Sequence, residues 1–116
     1  MTPSSVERVR FGASEVAAWA REDPRRSNWP VVYVIDGDHR GSAPAVYVGE
    51  TVNAVARMHQ HLGSQQKRDA GLRSVRVIIG DRFNKSVCLD LESHLIRWLA
   101  GDGRFTVLNE TVYPED

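Results

Sequence analysis

Residues 45–62 read AVYVGETVNAVARMHQHL, and this stretch contains two kinds of periodicity. Residues 45–48 are mostly apolar and β-branched and end at Gly49, which is typical of a buried strand. From Thr51 onward, apolar residues recur at helical spacing until Gly63, so a helix is predicted with Thr51 as its N-cap and Gly63 at its end. The sequence therefore predicts a strand followed directly by a short amphipathic helix.

Three polar residues of this predicted helix follow one another at four-residue steps: Asn53, Arg57 and His61. Spacing of four places side chains on one face of a helix. Each residue alone has an ordinary interpretation. Asn53 is a first-turn residue, Arg57 lies at the boundary between core and solvent, and His61 is a surface or capping histidine. The polar stripe beside a buried strand is what raises the question of function.

The remaining elements follow from the same signals. The apolar run 31–35 predicts a strand that pairs with 45–48 as an antiparallel hairpin. Val75, Val77 and Ile79 alternate with other residues, which predicts a third strand that is half exposed or at a sheet edge. A second helix is expected to begin at Asn84 or Ser86. Its predicted buried face consists of Cys88, Leu91, Leu95, Trp98 and Leu99.

These elements predict an α+β domain with a central three-stranded antiparallel or mixed sheet flanked by helices. Residues 1–30 are interpreted as an N-terminal adaptor segment with a short helix capped by Ser14. Residues 31–110 form the predicted domain and residues 111–116 a tail. No repeat or low-complexity tract interrupts this order.

The bulk composition is that of one ordinary globular domain. The chain has 116 residues, 41% of them hydrophobic and 26% charged, and a formal net charge of zero. The single Cys88 cannot form an internal disulfide, and no apolar run is long enough for a bilayer, so a cytoplasmic protein without a membrane partner is expected. Residues 50–85 carry seven Lys or Arg against three acids, a basic segment that suits either phosphate contacts or solvated surface.

Glu92 breaks the apolar pattern of the second helix. It follows Leu91, lies four residues after Cys88 and three before Leu95, so its carboxylate is expected at the buried face. A carboxylate in that position is costly unless it is paired, hydrogen-bonded or bound to a cation. A salt bridge to an arginine and a position at the rim of the core are the two structural interpretations.

Taken together, five side chains supply what phosphodiester cleavage needs: Tyr33, Tyr47, Arg57, His61 and Glu92. A guanidinium donates in a fork to a scissile phosphate. A single carboxylate can hold Mg²⁺ or Mn²⁺, because such a cation fills its shell with water and phosphate oxygens. These five are the predicted catalytic residues, with Glu92 the predicted metal ligand.

At these residues the sequence resembles the GIY-YIG nuclease family. Val31-Val32-Tyr33 stands in the place of the first family motif, and Tyr47-Val48-Gly49 in that of the second. Arg57 follows Gly49 by eight residues, as in the helix motif of the family. The stretch RMHQHL, with His61 four residues after Arg57, also recurs there. The later family positions are matched by Glu92 in LDLESHLIRWL and Asn109 in VLNE. The stretch RFNKSVCLDLE further resembles a subgroup in which this domain precedes a helicase-like ATPase.

The resemblance implies one divalent metal ion and hydrolysis of DNA strands, with RNA left open as a substrate. It also implies that a tyrosine assists deprotonation of the attacking water, without deciding between Tyr33 and Tyr47. The predicted substrate-binding residues are Gly49, Asn53, Lys85 and Asn109. A helicase-like ATPase domain, in the same chain or in a complex, is the implied protein partner, and the chain is then expected to be its N-terminal domain.

Two departures from the family pattern are visible. Val31 replaces a glycine that is usual there, and Glu50 adds a negative charge near a site that should bind phosphate. Two alternative functions therefore stay open. One is a catalytically weak module of the same fold that binds nucleic acid or docks on a partner. The other is a structural domain whose tyrosines and glutamate form a satisfied polar network.

Overall fold

The computed structural model describes residues 4–37, 44–65, 67 and 70–109, which form a small α+β domain. In chain order the strands are Ser4–Arg10 (β1), Val31–Gly37 (β2), Ala45–Thr51 (β3), Leu72–Gly80 (β4) and Thr106–Val107 (β5). The helices are Ala13–Glu22 (α1), Ala54–Leu62 (α2) and Lys85–Asp102 (α3). No helix of the described residues is long and apolar enough to cross a membrane.

The five strands make one mixed sheet in the order β1-β4-β2-β3-β5. All neighbouring pairs are antiparallel except β3 and β5, which are parallel over two residues. The predicted α+β class and the β2–β3 hairpin are confirmed. The sheet has five strands where three were predicted, and β4 lies between β1 and β2 instead of at an edge.

The strand β1 was missed because its sequence, SSVERVR, lacks strand alternation. Its two apolar residues, Val6 and Val9, are three positions apart and therefore point to opposite faces of the sheet. Val6 is exposed, whereas Val9 packs against the core. Pairing with β4, and not an apolar pattern of its own, makes this segment a strand. Residues 4–10 thus belong to the same sheet as the predicted domain, although the domain boundary itself stays a prediction.

The sheet separates two layers of core. On one face, α1 and α2 pack on inward residues of β2 and β4, including Tyr33, Ile35, Val75 and Val77. On the other face, α3 packs on β3 and β2 through Cys88, Ile96 and Leu99. The prediction that Trp98 belongs to the buried face is wrong, because its side chain is 69% exposed.

The N-caps of the three helices differ from the prediction at two helices and agree with it at one. Asn53, not Thr51, caps α2, because Thr51 is still paired with Val31 in the sheet. The Asn53 side chain accepts a hydrogen bond from the Ala56 backbone N–H at 3.0 Å. Gly12, not Ser14, precedes α1. Asn84 caps α3, as one of the two predictions had it.

The N-terminal segment is tied to the sheet by a buried arginine. Arg26, in the 3₁₀ turn Pro24–Ser27, forms a 2.9 Å ion pair with Glu7 of β1. Its guanidinium also lies 4.8 Å from the Trp19 ring centroid and donates to the Trp19 carbonyl at 2.6 Å. Trp19 in turn donates its indole N–H to Glu7 at 3.2 Å. The cluster joins β1, α1 and the turn into one unit.

We expect Arg26→Met to lower the free energy of unfolding by about 3 kcal/mol, because it leaves the half-buried Glu7 carboxylate without its cation. The neighbouring Arg25→Met is the matched control. Arg25 pairs with Asp23 and Asp81 closer to solvent, so its loss should be much smaller. Urea denaturation of the three proteins measures both values. Equal losses for the two variants would contradict the structural role given to Arg26.

Candidate active site

The β2–β3 hairpin places two tyrosines on the same face of the sheet. Tyr33 stands opposite Gly49 and Tyr47 opposite Ile35, so the two tyrosines are diagonal neighbours across the strands. Their ring centroids are 6.3 Å apart, with an interplanar angle of 25°. The Tyr33 side chain is buried, whereas Tyr47 is only half-buried. The hairpin register therefore places both phenols on one face, with Tyr33 as the inner one and Tyr47 as the outer one.

Helix α2 brings an imidazole onto these two rings. The Tyr33 hydroxyl and Nε2 of His61 share a hydrogen bond of 2.7 Å. The His61 ring also meets Tyr47 edge-on, with centroids 4.8 Å apart. His61 is 6% exposed, so the predicted surface or capping histidine is in fact buried between the phenols and its helix. The three rings form one cluster, which we call the ring cluster: Tyr33, Tyr47 and His61.

All three members of the ring cluster are uncharged at neutral pH. Burial raises the pKa of Tyr33 far above its usual value and raises that of Tyr47 as well. Burial lowers the pKa of His61 to about 4, assisted by the positive charges of Lys67 and Arg57. The short hydrogen bond thus joins a neutral phenol and a neutral imidazole, so no ion is buried in the cluster.

Arg57 lies one helical turn before His61 on α2 and brings a positive charge to the ring cluster. Its side chain is half-buried, and among the described residues its guanidinium has no hydrogen bond or ion pair. Its charge lowers the pKa of both tyrosines as well as that of His61. A half-buried, unpaired guanidinium beside neutral rings is available for an anion that is not part of the described chain.

Glu92 approaches the same group from α3. Burial, and secondarily the charge of Glu50, raises the pKa of this carboxyl, whereas Lys85 and Arg57 act in the opposite direction. Its negative charge also raises the pKa of both tyrosines. Within the described ranges the Glu92 carboxylate has neither an ion pair nor a hydrogen bond. The predicted alternative, a salt bridge to an arginine, is therefore not found there.

Three of the four predicted substrate-binding residues make structural contacts within the described chain. The Tyr33 ring fills the space beside Gly49, Asn53 caps α2, and the buried Asn109 pairs its amide with both backbone groups of Val48. Substrate contacts for these residues stay predictions. The fourth, Lys85, is largely exposed and forms ion-pair contacts of 2.9 and 3.1 Å with Glu50.

The pairing of Glu50 with Lys85 accounts for one departure from the family pattern. Glu50 is mostly buried, with a side chain 14% exposed, and its negative charge is partly neutralised by Lys85. Repulsion of a phosphate by Glu50 is therefore weaker than the sequence alone predicts.

The donor set fits one weakly ligated divalent cation and no more. No group of three or more His, Cys, Asp or Glu side chains in the described part of the chain could enclose a metal ion. Glu92 is nevertheless an unpartnered, half-buried carboxylate with a second carboxylate, Glu50, in electrostatic range. Mg²⁺ is commonly held by one or two carboxylates together with waters and substrate phosphates. Glu92 would be the carboxylate that holds such an ion, because Glu50 is already paired with Lys85.

One groove of the described residues, with a volume of about 820 Å³, lies between α3 and β5, away from the ring cluster. It is lined mainly by Ile96, Arg97, Ala100, Phe105 and Val107. At the candidate site, Tyr47, Arg57 and Glu92 are half-buried, whereas Tyr33 and His61 are buried. The half-buried side chains are therefore the part of the site that solvent reaches.

Lys67 belongs to the site but was not among the predicted residues. Its ammonium lies 4.3 Å from the Tyr47 ring centroid, and the residue is only 9% exposed. From the sequence it was one cation of the basic segment 50–85, which suited either phosphate contacts or solvated surface, and it stood in a predicted polar loop after α2. No spacing rule could have found it, because it follows the helix end at Gly63 and has no periodic relation to His61.

Searches against protein-family models, curated proteins and solved structures found no match for this chain. The resemblance to the GIY-YIG nucleases therefore remains a prediction that rests on the residues quoted above. The geometry of the site has to be interpreted from its own contacts and charges.

Gly49→Ala should lower the free energy of unfolding by about 2 kcal/mol, because a methyl group there overlaps the hydroxyl and ring of Tyr33. Tyr33 cannot yield easily while its hydroxyl is bonded to His61. Gly101→Ala in α3 is the control, since nothing lies within 4 Å of its added methyl group. Chemical denaturation should show that the control is as stable as wild type or slightly more so. An unchanged midpoint for Gly49→Ala would contradict the packing.

Proposed function

We propose that this chain is a divalent-metal-dependent endonuclease domain that hydrolyses phosphodiester bonds in DNA. One observation carries the proposal: Arg57 and Glu92 come from different helices, act electrostatically on the same two tyrosines, and are both unpartnered within the described residues. Two opposite charges that each lack a hydrogen bond and an ion pair within the described residues are suited to ligands of opposite sign. A phosphate for Arg57 and a cation for Glu92 would provide them.

Arg57 is assigned to the scissile phosphate. Its guanidinium would donate two parallel hydrogen bonds to the non-bridging oxygens and stabilise the negative charge that grows in the pentacovalent transition state. Because the guanidinium is half-buried, part of its hydration is already removed before substrate binds. Its interaction with a phosphate is therefore stronger than that of a fully solvated arginine.

Glu92 is assigned to the metal ion, Mg²⁺ or Mn²⁺. The ion, when bound, supplies positive charge to the phosphate oxygens and acidifies a coordinated water. Glu92 contributes a carboxylate whose pKa is raised by burial and by Glu50, so the free carboxylate is electrostatically unfavourable. Binding a cation relieves that unfavourable charge.

The exposure of the two tyrosines favours different roles. Tyr47 is half-buried and is the phenol that substrate or water can reach. Tyr33 is 1% exposed and hydrogen-bonded to His61, so we assign it to orientation of the imidazole. His61 is neutral, but its pKa is lowered while the pKa values of both phenols are raised, so proton transfer from a phenol to the imidazole is unfavourable. We therefore assign His61 to orienting the phenols and not to accepting their protons.

A nucleic-acid-binding or partner-docking module is the second candidate function. It is favoured by the small donor set, because Glu92 is the one unpaired carboxylate found at the described site. The same Arg57 and Lys67 charges would then grip a phosphate backbone without cleaving it. A cytoplasmic location and association with a helicase-like ATPase domain are further proposals that rest on the sequence resemblance.

Cleavage of plasmid and branched DNA tests the proposed function. We expect nicking with Mg²⁺ or Mn²⁺ that is abolished by chelation and reduced on the order of 100-fold or more in Glu92→Gln and in Arg57→Gln. Asp90→Asn and Arg97→Gln are the matched controls, because both residues lie on exposed positions of α3. They should retain wild-type rates.

Two results would decide against the nuclease. Metal-independent cleavage that persists in Glu92→Gln would point to a contaminating enzyme. Salt-dependent DNA binding by a well-folded wild type with no cleavage under any metal would favour the binding module instead.

A further inference from the structure

Lys67 is a cation held in an unusual place. The residue is 9% exposed, yet no carboxylate pairs with its ammonium in the part of the chain that the structure describes. Its one described aromatic neighbour is Tyr47, whose ring face it covers at 4.3 Å. A cation–π contact offsets only part of the cost of removing an ammonium from water. Burial accordingly lowers the pKa of this lysine.

The contacts of Lys67 continue into the ring cluster. Lys67 covers the Tyr47 ring, Tyr47 meets His61 edge-on at 4.8 Å, and His61 is bonded to Tyr33 at 2.7 Å. The lysine thus covers the outer ring, Tyr47, of three rings that contact one another in a row. Removal of the ammonium would free the Tyr47 ring on that side, although it would leave the inner hydrogen bond in place.

The position of this charge also matters for a bound anion. Lys67 and Arg57 are the two cations whose charges reach His61, and neither forms an ion pair with a described carboxylate, although Arg57 interacts electrostatically with Glu92. The imidazole is faced by Tyr33, Tyr47 and these two cations. Such a group lacks a negative partner, which a phosphodiester would provide.

We propose that Lys67 is a positioning residue of the nuclease site: its ammonium fixes the Tyr47 ring against His61 and contributes one positive charge to the binding of a nucleic-acid phosphate. The inference deepens the proposed function and rests on it for the identity of the anion. The ring contact itself does not depend on cleavage. The two parts can therefore be tested separately.

The first test is NMR titration of the His61 imidazole in wild type, Lys67→Met and Lys67→Arg. Methionine removes the ammonium, and with it the cation–π contact to Tyr47 and the positive charge near His61, but it leaves the imidazole buried. Because burial is the larger cause of the low pKa of His61, that pKa should rise measurably from about 4 while staying below 6.5. Arginine keeps the cation and should leave that pKa low. His61→Gln identifies the resonance among the four histidines. Arg104→Met, which removes an exposed cation paired with Asp102, is the charge-matched control and should not shift it.

The second test is the salt dependence of binding to short duplex DNA in the presence of a chelator. Loss of one phosphate contact should reduce the slope of log affinity against log salt by about one in Lys67→Met. Lys67→Arg and Arg104→Met should keep the wild-type slope.

The outcomes separate the two hypotheses. An unchanged His61 titration in Lys67→Met overturns the positioning role, whether or not the wild type cleaves DNA. A risen His61 pKa with an unchanged salt slope overturns the phosphate contact. If the wild type does not bind or cleave DNA, the proposed function fails, and a risen His61 pKa would still support the ring contact.

Discussion

The hydrogen bond between the Tyr33 hydroxyl and His61 is the constraint on which the candidate site depends. It requires a position without a side chain on the neighbouring strand, and Gly49 stands opposite Tyr33 in the hairpin. It also requires that α2 start directly after β3, which the Asn53 cap provides. One short polar contact thus links the sheet register, a glycine and a helix start, and the ring cluster follows from these three.

Around this neutral cluster the chain keeps charges that it does not pair. Most of its half-buried charges have close partners, as Arg26 has in Glu7 and Glu50 has in Lys85. Arg57 and Glu92 are different, since no partner for either is found in the described residues. Together with the buried Lys67, these two residues are charges for which the described chain supplies no ion pair, so their electrostatic energy is available for ligands. That contrast is the physical basis of the proposed nuclease.

Much of the architecture could be predicted from local patterns, but long-range pairing could not. The β2–β3 hairpin, α2 and the Asn84 cap followed from apolar periodicity and capping chemistry. The segment Ser4–Arg10 was missed because its valines face opposite sides of the sheet, so only pairing with β4 makes it a strand. Trp98 was placed in the core by spacing alone, whereas the buried face of α3 contains Cys88, Ile96 and Leu99, so Trp98 lies beside that face.

The candidate site shows the same division. The hairpin and the four-residue spacing on α2 could predict that Tyr33, Tyr47, Arg57 and His61 share one region, although their catalytic roles stay predictions. The unpaired state of Glu92 could not be predicted, because the distance between α3 and α2 depends on packing across the whole sheet. The contact of Lys67 with the Tyr47 ring could not be predicted for a similar reason, since it is a tertiary contact without a periodic relation to His61.

Paramagnetic broadening by Mn²⁺ tests the central claim most directly, because it locates the cation without requiring catalysis. In the full chain mixed with short duplex DNA, we expect broadening centred on Glu92 and extending to Tyr47 and Arg57. The broadening should disappear in Glu92→Gln. Broadening centred on a different carboxylate, or an unchanged pattern in Glu92→Gln, would contradict the account.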